Sequence, residues 1–124
     1  MQTVRKIYHI KKFSNGFQAI FYHKADLYSI GLSLYLRAGH IFEDKTSLGL
    51  SHFAEHMIFK GTSVHPTIKL LNQYQDQIAF YPAAYTASDR VTIYGTAPKA
   101  KLKEALEHLG RLVFDSLCKD EDIE

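Results

Sequence analysis

His52, Glu55 and His56 are the residues whose types and spacing can do chemistry together. In His52-Phe53-Ala54-Glu55-His56 the histidines are four apart, so on a helix they stand on one face. Glu55 falls on that same face, between them. Two neutral imidazoles one helical turn apart can reach one metal ion at about 2.0–2.1 Å each. A carboxylate beside them, not used as a ligand, can take the proton from a metal-bound water whose pKa is lowered towards about 7. This is the inverted form of the zinc-protease helix motif. It arises by chance in about 2% of shuffled chains of this composition. The competing reading is a solvated helix face carrying two unrelated histidines.

The surrounding pattern supplies the helix. From 48 to 60 the apolar residues are Leu50, Phe53, Ala54, Met57 and Ile58, the spacing of an amphipathic helix. The histidines lie roughly opposite the centre of that stripe. Thr46 or Ser47 can cap its start and Gly61 can end it.

Before this helix, residues 4–12 and 17–23 read as strands joined by Ser14-Asn15-Gly16, a strong hairpin signal. Residues 29–37 alternate cleanly, with Ile30, Leu32, Leu34 and Leu36 on one side. After it, a second helix is expected over 66–76, with Pro66 in its first turn and Ile68, Leu70 and Leu71 as its stripe. Residues 79–87 and 90–96 read as strands; Pro82 marks the first as an edge strand or a bulged one. A last helix is expected over 99–117, with Leu102, Ala105, Leu106, Leu109, Leu112, Val113 and Leu117 on one side. Three strands, two helices, two strands and a helix indicate an α+β fold, a mostly antiparallel sheet with helices on one face.

Composition narrows the function classes. The 124 residues suffice for one core, and 46% apolar with 23% charged is the usual globular mixture. A net charge of +2 without a clustered basic face gives no reason to expect nucleic acid. The single cysteine, Cys118, excludes an internal disulfide framework and a Cys-rich zinc module, and reads as a small buried residue. No apolar run is long enough to span a membrane, and the N-terminal residues lack the apolar stretch of a signal peptide, so a cytoplasmic protein is the default expectation.

Other titratable residues have plainer readings. Glu104, Glu107 and His108 on the last helix could be weighed as a third metal ligand, but read better as a solvated charged face. His9, His23, His40 and His65 show no metal spacing and read as ordinary surface or edge histidines.

The run from Gly49 to Thr62, Gly-Leu-Ser-His-Phe-Ala-Glu-His-Met-Ile-Phe-Lys-Gly-Thr, resembles the core of the pitrilysin/insulinase (M16) family of zinc metallopeptidases. The resemblance extends to Asn15-Gly16, to Ala38-Gly39 with Glu43, and to Tyr85-Thr86 with Tyr94. It implies that His52 and His56 are Zn2+ ligands, that Glu55 is the general base, and that Ala83, Ala84, Tyr85 and Thr86 form the strand to which an extended peptide substrate adds. The sequence departs from the family where Ala83-Ala84 stands in place of Asn-Ala and where Pro82 precedes it. The family's third ligand is a Glu roughly 70–80 residues beyond the second histidine; the sequence ends at 124, short of that. The chain is therefore expected to be the first part of an M16-type domain, a single incomplete unit over 1–124. It would be inactive alone, would work with further M16-type domains or subunits, and would self-associate through uncovered surface. The alternatives are a non-catalytic M16-like partner or scaffold subunit and, more remotely, a binding module.

Overall fold

A computed structural model describes residues 8–123. The expected strand over 4–12 therefore falls partly outside the described residues. The elements run β1 (Tyr8–Lys12), β2 (Gln18–Tyr22), β3 (Ser29–Leu36), α1 (Leu50–Met57), α2 (Ile68–Ile78), β4 (Ala83–Thr86), β5 (Val91–Pro98) and α3 (Leu102–Phe114). This is the α+β order that the sequence indicates.

The strands divide into two antiparallel sheets. β1 and β2 form a hairpin pairing Tyr8 with Tyr22 through Lys12 with Gln18. Gly16 turns it with φ 87°, and Asn15 Oδ1 accepts from the Phe17 N–H at 3.1 Å. The second sheet has the order β3-β5-β4, so among the described residues β4 is an edge strand, as Pro82 indicates.

Register explains the sheet's two faces. Ile30, Leu32, Leu34 and Leu36 stand opposite Ala97, Gly95, Ile93 and Val91, and β4 adds Ala84 opposite Ile93 and Thr86 opposite Val91. Directly opposed residues share a face, so all these side chains point to the helical side. There Ile78, Phe80, Val91, Ile93, Ala97, Ala105 and Leu109 form the core. Gly95 is required within it. A Cβ there would sit 2.6 Å from the ring of Phe80, which is fully buried.

Several boundaries and faces differ from the sequence reading. α2 begins after Pro66, because Thr67 caps it by accepting from the Leu70 N–H at 3.3 Å. It buries Leu71, Gln75 and Ile78, while Ile68 and Leu70 are exposed. α3 buries Ala105, His108, Leu109 and Leu112, leaves Leu106 exposed, and ends before Leu117.

His108 is not part of a solvated face. It is 1% exposed, and its Nε2 accepts from Gln75 Nε2 at 3.1 Å. His65 is not an ordinary surface histidine either: its ring stacks on Tyr74 with centroids 4.4 Å apart, and its Nδ1 is buried. Cys118, expected to be buried, is exposed.

Candidate metal centre

α1 carries the motif, and its start is built differently from the expectation. Thr46 and Ser47 do not cap it; both bond to Asp44 Oδ1. The cap is Glu43, whose Oε2 accepts from the Gly49 N–H and whose Oε1 accepts from the Ser51 N–H, each at 2.8 Å. Gly49 makes this possible by turning the chain at φ 84°. A carboxylate on the unpaired N–H groups of a helix start is favoured by geometry and by the helix dipole. The Ser51 hydroxyl first, then the Ser51 and Gly49 amides, hold the Glu43 carboxyl down to about 2. Gly61 does not end the helix, which stops at Met57; it lies against the Pro66 backbone, where a Cβ would come within 2.9 Å.

Which face of α1 is covered also differs from the expectation. Of its apolar stripe, Met57 is buried and Ile58 half-buried, but Leu50, Phe53 and Ala54 are exposed. The motif side is the one that meets the sheet edge. Thr86 Oγ1 on β4 donates to Glu55 Oε2 at 2.5 Å. His52 and His56 are exposed, and their Nε2 atoms converge to 3.1 Å.

That separation suits a shared cation. Two nitrogens on one tetrahedral zinc at about 2.0–2.1 Å stand roughly 3.3 Å apart. The pair of imidazoles therefore fits zinc as two of its ligands. Among the described residues no group of three His, Cys, Asp or Glu side chains comes together to complete a metal site. Neither Glu104 nor Glu107 serves: each pairs with a lysine of α3 or of the turn before it, Glu104 with Lys101 and Glu107 with Lys103.

A cleft of about 320 Å³ adjoins the pair, lined by His40, His52, Glu55, Ala84, Tyr85 and Thr86. It brings together two motif residues and three of the four strand residues expected to bind substrate. Ala83, the fourth, is exposed and lies outside the lining.

The sequence profile of the Insulinase (Peptidase family M16) family matches residues 22–124. The chain belongs to the insulinase family. Among relatives in that family, a Rickettsia felis protein named an uncharacterized zinc protease is 28% identical over 120 residues, covering 97% of this chain and 29% of its own length. The human insulin-degrading enzyme is 25% identical over 114 residues, covering 89% of this chain and 11% of the enzyme. A probable mitochondrial-processing peptidase subunit beta of Arabidopsis thaliana is 30% identical over 92 residues, covering 74% of this chain and 17% of the subunit. The chain thus spans less than a third of the length of these insulinase-family relatives.

Two residues of the site escape the motif reading. Glu43 lies outside the usual local capping distance, but an acidic residue shortly before a helix that starts at a glycine, Gly49, is a usable signal. His40 carries no sequence signal, because its place in the cleft depends on a loop folding back on the sheet. Among the described residues no helix is long and apolar enough to cross a membrane.

Proposed function

We propose that this chain supplies part of the active site of a zinc-dependent metalloendopeptidase. The observation that carries the reading is the convergence of the His52 and His56 Nε2 atoms at 3.1 Å beside Glu55, over a cleft bounded by the edge strand β4. In this reading His52 and His56 hold Zn2+, and a further ligand comes from outside the described residues. When bound, zinc polarises a peptide carbonyl and acidifies water.

Glu55 is the general base. Thr86 fixes its Oε2, and among the described residues Oε1 carries no hydrogen bond. That oxygen is the one free to accept a proton from the attacking water and pass it to the leaving amine. Ala83, Ala84, Tyr85 and Thr86 hold the substrate. β4 pairs with β5 along one side, and among the described residues no strand pairs with its other side, which in this reading takes an extended peptide held by backbone bonding regardless of side-chain sequence.

On the same reading, residues 1–124 are an incomplete M16-type domain, inactive alone, that works with further domains or subunits of this kind. That several relatives are named zinc proteases, and others are named as a peptidase subunit, supports this. The intact triplet favours the enzyme over a non-catalytic partner.

The test uses the complete gene product, with zinc content measured beside cleavage of casein. Glu55→Gln is expected to keep zinc and lose cleavage. Cleavage at the unaltered rate removes Glu55 from its role; a zinc-loaded wild type that cleaves no peptide overturns the proposal.

A further inference from the structure

His40 stands in the cleft with the motif residues, and its neighbours Gly39 and Ile41 hold its loop there from two sides. Its neighbour Gly39 has φ 121°, and a Cβ at that position would lie 2.4 Å from the Ala87 carbonyl oxygen. The loop is therefore pressed against the turn that follows β4. The Gly39 N–H donates to Ser51 Oγ on α1 at 2.9 Å, and the Ile41 N–H donates to the Ser88 carbonyl at 3.0 Å. One short loop thus ties the metal helix to the end of the edge strand and places His40 between them.

The ring is oriented as well. His40 Nδ1 lies 3.6 Å from Glu43 Oε2, the carboxylate that caps α1. The Glu43 carboxylate faces Nδ1, so a neutral ring with its N–H on Nδ1 points that hydrogen at the negative charge. In that tautomer Nε2 is a lone-pair acceptor, and among the described residues nothing bonds to it. The side chain is 59% exposed, so Nε2 is open to a ligand. On the peptidase reading, a peptide paired with β4 turns alternate backbone N–H groups away from that strand.

We propose that His40 is a substrate-binding residue whose Nε2 accepts a hydrogen bond from a backbone N–H of the extended peptide. The inference rests on the peptidase reading above. Such a contact is made in ground and transition state alike, so it acts on affinity and leaves turnover nearly unchanged.

The test is direct binding of fluorescein-labelled β-casein to the zinc-loaded complete gene product carrying Glu55→Gln. Adding His40→Ala is expected to weaken binding about five- to tenfold, the worth of one hydrogen bond. His40→Gln, whose side-chain oxygen can stand in for Nε2, is expected to restore affinity to within about twofold. In the active background His40→Ala raises KM by the same factor, with kcat and zinc content unchanged. Equal affinity with and without His40 overturns the proposal. So does a Gln variant as weak as the Ala variant, and so does the absence of any binding. Failure of the peptidase reading itself shows separately, as a wild type that does not cleave.

Discussion

Thr86 donates its hydroxyl hydrogen to Glu55 Oε2 at 2.5 Å, joining the edge strand to α1 across 31 residues of sequence. A hydrogen bond to a carboxylate is among the stronger side-chain contacts, and this one aims the proposed base. Thr86→Val keeps the shape and removes the donor. The expected result is a loss of kcat of about tenfold with KM and zinc content unchanged. Steady-state kinetics of the complete gene product decide it; a change confined to KM would show that the Thr86 hydroxyl serves substrate binding and not the base.

Gly39→Ala is expected to destabilise the protein strongly. The new Cβ meets two backbone oxygens, Ala87 O at 2.4 Å and Ser88 O at 2.7 Å, and the residue must hold φ 121°. Neither oxygen belongs to a flexible side chain that can move aside. A cost of about 2–4 kcal/mol is expected from the strain and the clash together. Urea unfolding followed by circular dichroism measures it.

Acid should unfold the protein through His108. Burial first, and the neighbouring His65 second, push its pKa down from 6.5 to about 4. Tyr74, Phe80 and Gln75 complete its surroundings, and among the described residues Nδ1 is buried without a partner. The unfolded chain takes up a proton below pH 6.5 that the folded chain refuses until about 4. The stability is therefore present above pH 6.5 and is lost as pH falls through this window, by up to roughly 3 kcal/mol. Urea midpoints at pH 7 and pH 5 test this; equal midpoints would show that His108 does not titrate out of a buried neutral state.

The 124-residue chain is expected to self-associate. Leu48 is 73% exposed, Leu50 57% and Phe114 80%, and the β1–β2 hairpin exposes Ile10, Ile20, Phe21 and Tyr22. Apolar surface of this extent favours contact between copies, as does a strand edge that is unpaired among the described residues. Sedimentation velocity should show a coefficient that rises with concentration and falls back when Leu50 and Phe53 are both changed to Glu.

The site was legible in sequence to the extent that it is local. His52, Glu55 and His56 share a face because of helical period alone, and Ile30 to Leu36 alternate because a strand has period two. The Asn15-Gly16 turn, the antiparallel sheet and the edge position of β4 follow from equally short-range rules. The α+β order of elements was readable for the same reason.

What the tertiary structure decided is everything that depends on a second segment. An apolar stripe says that a helix can bury one side; it does not say how far a neighbour covers it, and among the described residues Leu50 and Phe53 stay exposed. His108 looked solvated beside Glu107, yet Gln75 and Phe80, far away in the chain, close over it. Glu43 became the cap of α1 and His40 joined the cleft only when the loop between β3 and α1 folded onto the turn after β4. Helical and strand periods are set by each residue's own backbone. Burial, capping at a distance and the meeting of Glu55 with Thr86 are set by which segments come together in space.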